Sequence, residues 1–316
     1  MAKGFTRSLV FRLLNQAYMD AHRRNELKSL SFQRHFLGDR RRAFTLAELL
    51  VVMGMLGILT LVLLPALAST QPAGVKSFRC MNNLRQMAVA WTLYAEDNHD
   101  RLVNNFDTPS MQSELQNKTY RSWVNTLADW SPNAYVTNLD GIRLAPFFSY
   151  TGSLIIYKCP AENYLSPIQQ SLGWTARPRS YSMNCFFGAS TPTWIREYNN
   201  VYSNYRQFLK TSAMPNPANL YVMLEEHPDS INDGYFNDDA SSSIASWSDL
   251  PGSNHAGAAG IAFGDGHAEI HHWKSRVCTV LPVRHLPLSQ HLFASDPSGA
   301  ANQDAQWLAS HSSVPR

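Results

Sequence analysis

The sequence predicts an α+β protein, in which a long N-terminal hydrophobic α-helix packs on a loop-rich head domain with an antiparallel β-sheet. An apolar run over residues 44–67 leads into residues 75–94, where apolar side chains recur every three or four positions. That spacing is the period of an amphipathic helix. Short strand candidates follow, separated by glycine, proline and asparagine. Strands gathered after one long helix favour α+β over an alternating βαβ fold.

Residues 1–43 form a basic leader segment. They hold ten lysines and arginines against three acids, a net charge of +7, while the whole chain is +3, so the remainder is −4. The basic pI of 8.6 therefore describes the leader and predicts no nucleic-acid partner. Positive charge before an apolar run places that end of the chain in the cytoplasm.

Residues 44–67 contain one charged side chain, Glu48, in 24 positions. About 20 apolar residues span a bilayer as a helix, so this stretch predicts a single transmembrane segment. An ordinary signal-anchor or a secretory h-region are the alternatives, and neither accounts for the acid. A charge at membrane depth costs about 2.5–3.5 kcal/mol and usually has a partner, although Glu48 snorkelling to the interface remains open.

The segment AFTLAELL at positions 43–50, directly after three arginines, resembles the processing site of type IV prepilins and type II secretion pseudopilins. The resemblance implies that a prepilin peptidase cuts between Ala43 and Phe44 and methylates the new amine of Phe44. The family usually has glycine before the cut and an apolar residue, often isoleucine, before the acid, so Ala43 and Ala47 are departures. It further implies that Glu48 pairs with the Phe44 amine of a neighbouring subunit in a filament.

The same resemblance implies the partners and the location. The partners are a prepilin peptidase, other pilin or pseudopilin subunits, an inner-membrane assembly platform and membrane lipid. The protein would cross the inner membrane once, with its N-terminus cytoplasmic and its head periplasmic.

Residues 68–98 are predicted to form the amphipathic half of the helix, against which the head packs. The apolar face comprises Val75, Phe78, Met81, Leu84, Met87, Ala88, Trp91 and Tyr94. Further segments resemble a large subgroup of pilin-like proteins from planctomycete and verrucomicrobial genomes, the H-X9-DG type. They are CMNNLRQ at 80–86, YKCP at 157–160, RSYSMN at 179–184, and His255 with nine residues before Asp265-Gly266. The resemblance covers about residues 44–273.

Residues 99–285 are predicted to form the head, and residues 286–316 a weakly ordered tail. Strand candidates are residues 153–157, 180–187, 220–224, 257–263, 268–272 and 277–283, with Asp265-Gly266 as the turn of a hairpin. Four aromatic side chains suit either a carbohydrate platform or a loop-rich core, and we favour the core. They are Trp123, Trp130, Tyr135 and Trp174.

Four cysteines occur, at positions 80, 159, 185 and 278. An even number in an exported domain permits two disulfides, with three possible connectivities. We favour a disulfide between Cys80 and Cys159, which would tie the helix to the head. Metal ligation by cysteine is less favoured, because no Cys-x-x-Cys spacing exists.

Two polar clusters, around Glu226 and around His255 with Asp265-Gly266, are candidate sites. Loop carboxylates suit Ca²⁺, as related pseudopilins use head-domain acids for calcium, although those loop motifs do not match here. His255, Glu226 and His267 would instead suit Zn²⁺ or acid–base chemistry. We favour a hydrogen bond between His255 and Asp265 that pins the hairpin over a metal site, and either over catalysis. No cofactor is therefore expected, with Ca²⁺ as the alternative.

The predicted function is that of a pilin-like structural subunit of a type II secretion pseudopilus or a type IV pilus-like filament, not an enzyme. The alternative is a membrane-anchored extracytoplasmic module that binds glycans or other ligands and does not polymerise. A tethered hydrolase using Glu226, His255 and Asp265 ranks last, because the sequence has no nucleophile elbow, no His-Glu-x-x-His and no phosphate loop.

Overall fold

The computed structural model describes residues 45–68, 72–193, 202–238, 247–290 and 295–316; side chains are not described for residues 61–68, 72, 73, 134 and 288. The chain divides into two compact units, Met1–Ser69 and Thr70–Arg316. The leader and the predicted cleavage site, Ala43 and Phe44, lie outside the described residues. So do residues 69–71.

The first unit contains helix α1, Leu46–Ala68. Its start is a capping box, because the Glu48 amide donates to Thr45 Oγ1 at 3.2 Å and the Thr45 amide donates to Glu48 Oε2 at 2.9 Å. The two bonds satisfy amides that a helix N-terminus otherwise leaves without partners. Among the residues with described side chains, no helix is both long enough and apolar enough to cross a membrane.

The second unit combines helices with one sheet, as the α+β prediction expects. Its α-helices are α2 Pro72–Asp97, α3 Thr108–Asn117, α4 Asp140–Arg143, α5 Phe148–Thr151, α6 Pro167–Ser171 and α7 Ala300–Ser310. Its strands are β1 Tyr181–Asn184, β2 Tyr221–Glu225, β3 Tyr235–Phe236, β4 Ala258–Phe263 and β5 Ala268–His272. Short 3-10 turns occur at Ala134–Val136, Leu154–Tyr157, Thr211–Ala213, Pro217–Asn219 and Leu288–Gln290.

The sheet is mixed, with the strand order β3-β1-β2-β4-β5. Three neighbouring pairs are antiparallel, but β1 and β3 are parallel, so the purely antiparallel prediction is wrong at this edge. Four of the six strand predictions are confirmed as β1, β2, β4 and β5. Residues 153–157 form the 3-10 turn Leu154–Tyr157, and residues 277–283 form no strand. A short apolar run without alternation does not distinguish a strand from a buried turn.

Helix α2 packs on one face of the sheet. Leu84, Met87 and Trp91 are buried in the core cluster that also holds Met183 and Met223 of the strands. This confirms the packing face predicted for the middle of the helix. Its first turns differ from the prediction, since Val75 and Phe78 are exposed.

The opposite face of the sheet is covered by α7, so the prediction of a weakly ordered tail is wrong for residues 295–316. Leu308 is fully buried in a cluster with Leu224 and Ile261. The backbone of the tail also joins the head, since the Tyr221 amide donates to the His311 carbonyl at 2.9 Å. The helix face that packs there is mostly alanine, which gives a weak hydrophobic pattern in the sequence.

Candidate metal centre

Four buried side chains from four separate segments meet beneath helix α2. Cys80 lies on α2, Cys159 follows the turn Leu154–Tyr157, Glu225 ends β2, and His255 lies in the turn before β4. One potential ligand atom from each of the four lies within 4.8 Å of the other three. Within the described ranges, this is the one grouping of three or more histidine, cysteine or acidic side chains with that geometry.

These segments can come close together because position 260 of β4 is a glycine, which has no side chain. A Cβ atom at Gly260 of β4 would lie 2.6 Å from Leu84 Cδ1 and 2.9 Å from Cys80 Sγ. Real Cβ atoms do not approach other atoms so closely, so the glycine lets α2 lie directly against the strand. The close approach places Cys80 next to the end of β2, where Glu225 is the last residue.

His255 is the centre of the direct contacts. Its Nε2 lies 3.2 Å from Glu225 Oε2 and 3.3 Å from Cys159 Sγ. Cys80 Sγ lies 3.8 Å from the same carboxylate oxygen, Glu225 Oε2. Two sulfurs, one nitrogen and one oxygen therefore converge on one point.

Outer partners fix the orientation of the imidazole and the carboxylate. Ser77 Oγ lies 3.0 Å from His255 Nδ1, which leaves Nε2 facing the cluster. Asn254 Nδ2 donates to Glu225 Oε1 at 2.8 Å, which leaves Oε2 facing it. The second nitrogen and the second oxygen are thus both held from outside.

Each sulfur also has a donor from outside the cluster. The Tyr181 hydroxyl donates to Cys80 Sγ at 3.2 Å, and the Ala161 amide donates to Cys159 Sγ at 3.3 Å. Donors aimed at sulfur stabilise a thiolate more than a neutral thiol.

The pKa shifts in the cluster favour a charged pair of His255 and Glu225 and neutral thiols on the two cysteines. Burial acts against the charged form of His255, but hydrogen bonds and charge from Cys159 and Glu225 raise its pKa to about 10. Burial likewise acts to raise the pKa of Glu225, and His255 outweighs it, so that pKa lies below its ordinary value. Burial raises the pKa of both Cys80 and Cys159. The neutral thiols make the cysteines poor nucleophiles.

The acid in this cluster is Glu225, and not Glu226, the candidate that the sequence predicts. Side chains alternate along a strand, so the two acids point to opposite sides. Glu226 accepts hydrogen bonds from Ser182 Oγ at 2.5 Å and Ser230 Oγ at 2.7 Å, and burial raises its pKa to about 8. Glu225 is two residues after Met223, so the two side chains face the same side of the sheet. Met223 packs against α2, and this spacing could have identified Glu225.

His255 and Asp265 do not form the predicted hydrogen bond. They flank the six residues of β4, a span of roughly 20 Å at about 3.3 Å per residue. Asp265 Oδ1 instead accepts from the amide of His267 at 3.0 Å and contacts its ring at 2.6 Å. The predicted turn itself is confirmed, and Gly266 has the positive φ of 92° that favours glycine.

The predicted disulfide between Cys80 and Cys159 is not formed, since both are free thiols in the structure. A Cys-x-x-Cys pair would place both sulfurs on one short segment. The fold instead supplies each ligand from a different segment, with Cys159 and His255 96 positions apart.

Two loop acids that follow Glu226 in the sequence, Asp229 and Asp233, are each held by donors of the protein. Asp229 accepts from the Trp130 indole at 2.9 Å and from the Arg284 amide at 2.7 Å. Asp233 accepts from the Tyr235 amide at 2.8 Å. Calcium binding by these acids stays a prediction.

The aromatic residues expected in the core divide into two groups. Trp123 is fully buried, and its indole donates to the Gly234 carbonyl at 3.1 Å. Trp130 is half-buried, with the Arg177 guanidinium 4.2 Å from its ring centre. The core interpretation is therefore confirmed for Trp123, and Tyr135 and Trp174 are half-buried against another core cluster, while glycan binding stays a prediction.

Comparison with known proteins bears on the N-terminal unit. Residues 38–64 match the family described as the prokaryotic N-terminal methylation motif. The chain carries a prepilin-type methylation motif. The matched range includes the three arginines, the predicted cleavage site and Glu48, and indicates a prepilin-like protein of the type IV pilin and pseudopilin kind. No curated protein and no solved structure matches the chain.

Proposed function

We propose that this chain is a pilin-like structural subunit that a prepilin peptidase cuts between Ala43 and Phe44 and methylates on Phe44. The processed subunit assembles into a type II secretion pseudopilus or a type IV pilus-like filament. The observation that carries the proposal is the methylation motif over residues 38–64, with its basic flank and the apolar run behind it. The role is mechanical rather than enzymatic.

The proposed precursor crosses the inner membrane once, with residues 1–43 in the cytoplasm and the head in the periplasm. The methylation motif by itself suggests a membrane-anchored protein. Two features of the sequence support the finer assignment, namely 24 positions with a single charge and a leader of net charge +7.

Glu48 would set the register between subunits. In the uncut chain its Oε2 accepts from the amide and the hydroxyl of Thr45, both at 2.9 Å. Its other oxygen, Oε1, offers a pairing site to the cationic amine of Phe44 on a neighbouring subunit. A contact between different surfaces of successive subunits does not close on itself, and such contacts build helical filaments.

We further propose that the head is of the H-X9-DG type and presents its loops to other subunits or to cargo. His255 and Asp265-Gly266 bracket β4, so the spacing that defines this type corresponds to one strand and its two turns. Membrane lipid and an inner-membrane assembly platform complete the proposed set of partners.

The first test is the mature N-terminus of the protein, measured by mass spectrometry on material from its native membranes. The expected result is a peptide that starts at N-methylated Phe44. A chain that retains residues before Phe44 contradicts prepilin processing, and the anchored, non-polymerising binding module then becomes the leading account.

The second test separates anchoring from assembly. Replacing Glu48→Gln removes the charge and keeps the shape of the side chain, so cleavage should continue while the sheared filament fraction falls by about tenfold or more, as for losing one charge-assisted contact per interface. Glu96→Gln, an exposed acid on α2, is the matched control. Unchanged filament yield in Glu48→Gln would remove Glu48 from the assembly mechanism.

A further inference from the structure

We propose that Cys80, Cys159, Glu225 and His255 form a closed structural site for a tetrahedral divalent cation, Zn²⁺. The site would fasten helix α2 to the sheet and to the loop that follows Leu154–Tyr157. All four residues lie in the second unit, so the site does not depend on prepilin processing.

Three of the six separations between the ligand atoms lie close to the edges of a zinc tetrahedron. Zinc binds nitrogen and oxygen at about 2.0–2.1 Å and sulfur at about 2.3 Å, which places neighbouring ligand atoms about 3.3–3.8 Å apart. These separations are 3.2 Å between His255 and Glu225, 3.3 Å between His255 and Cys159, and 3.8 Å between Cys80 and Glu225, and the other three are within 4.8 Å. The side chains therefore need little movement to accept the ion.

The donor set selects the metal class. Two thiolates with one imidazole suit a borderline-soft cation, whereas Ca²⁺ and Mg²⁺ require oxygen ligands. Four protein ligands leave no open position for a substrate, and all four side chains are buried, so the site is structural rather than catalytic.

The four candidate ligands have hydrogen-bond partners of the kind that surrounds metal sites. Ser77 holds the far nitrogen of His255, and Asn254 holds the far oxygen of Glu225. Tyr181 and the Ala161 amide point donors at the two sulfurs. Such hydrogen-bond partners orient metal ligands and stabilise the thiolate form of cysteine. An apolar core does not require these four polar contacts.

The location explains why the cation would be structural. Cys80 and Glu225 are 145 positions apart, and Cys159 and His255 are 96 apart, so the ion would close two long loops at once. Closing long loops removes the most conformational freedom from the unfolded chain. Binding energy at a site that exists only in the folded state is folding energy.

The first experiment measures zinc in the full-length chain, purified with reduced thiols and then desalted after equilibration with Zn²⁺. We expect about one zinc per chain. Replacement by Co²⁺ should give tetrahedral d–d bands and a thiolate-to-cobalt charge-transfer band, which reports sulfur ligation without any mutation. Failure to retain zinc, absence of the charge-transfer band, or a Cys80–Cys159 disulfide in protein isolated from its native membranes would each overturn the proposal.

The second experiment uses a substitution outside the four ligands that keeps the ring in the core. Tyr181→Phe removes only the hydroxyl that donates to Cys80 Sγ, and we expect the zinc affinity to fall about 10–100-fold in competition with a chromophoric chelator. Tyr221→Phe is the matched control, because Tyr221 is equally buried on the adjacent strand and its hydroxyl donates to Asp238 at 3.1 Å. Equal affinities in the two variants, with both folded by circular dichroism, would show that the metal is not at Cys80.

Discussion

Helix α1 and the buried cluster of the second unit satisfy their acidic side chains in opposite ways. Glu48 is exposed and takes its hydrogen bonds from Thr45, three residues away. Glu225 is fully buried, and its carboxylate meets Asn254, His255 and Cys80 from other parts of the chain. The first arrangement is local in sequence, and the second exists only when the chain has folded.

The difference shows that one candidate site is a contiguous stretch of sequence and the other is assembled by the fold. The methylation motif is contiguous along the chain, so a family match of 27 residues finds it. A cluster that fastens a helix to a sheet draws its members from whichever segments the topology brings together. Its members carry no common spacing, and the contacts rather than the sequence define it.

The largest effect should come from removing the His255 imidazole, which is the ion-pair partner of Glu225. His255→Ala leaves a carboxylate buried without its partner, and the free energy of unfolding should fall by about 3–5 kcal/mol. Denaturant unfolding of the full chain measures this. His267→Ala, on the exposed turn of the same hairpin, should cost under about 1 kcal/mol. Similar losses for the two variants would mean that the buried cluster does not hold the head together.

A slightly smaller effect is expected at the second face of the sheet. Leu308→Ala in α7 removes a fully buried side chain and should lower the free energy of unfolding by about 2–5 kcal/mol. Leu286→Ala, at a side chain that is 38% exposed, provides the comparison and should change it little. A near-neutral Leu308→Ala would return residues 300–310 to the weakly ordered tail that the sequence predicts.

The smallest effect should come from the local cap of α1. Thr45→Ala removes the hydroxyl that caps the helix, and amide hydrogen exchange of the first turn should quicken by about fivefold. Thr60→Ala, whose hydroxyl bonds only to carbonyls inside the helix, is the control. If Thr45→Ala reduces filament yield as strongly as Glu48→Gln, the acid acts through the cap and not through a neighbouring subunit.

The predictable parts of the head are those with a strong local pattern. The period of α2, the short strand runs at 181–184 and 221–225 between glycine, proline and asparagine residues, and the turn at Asp265-Gly266 are all local patterns. The sequence did not predict the tail helix Ala300–Ser310, because alanines give little hydrophobic contrast, although they pack well against a sheet. The parallel pairing of β1 with β3 depends on the path of the connecting chain, which short-range patterns do not encode.

The sequence by itself determined the methylation motif, the charge asymmetry of the leader and the α+β class, because each depends on residues that are neighbours along the chain. Only the tertiary structure decided that Cys80, Cys159, Glu225 and His255 share one buried point, and that Glu226 does not. The physical reason is that a one-residue change of strand phase reverses the side of the sheet that a side chain faces. The contact partner then depends on how α2 packs, and α2 approaches that closely because position 260 is a glycine.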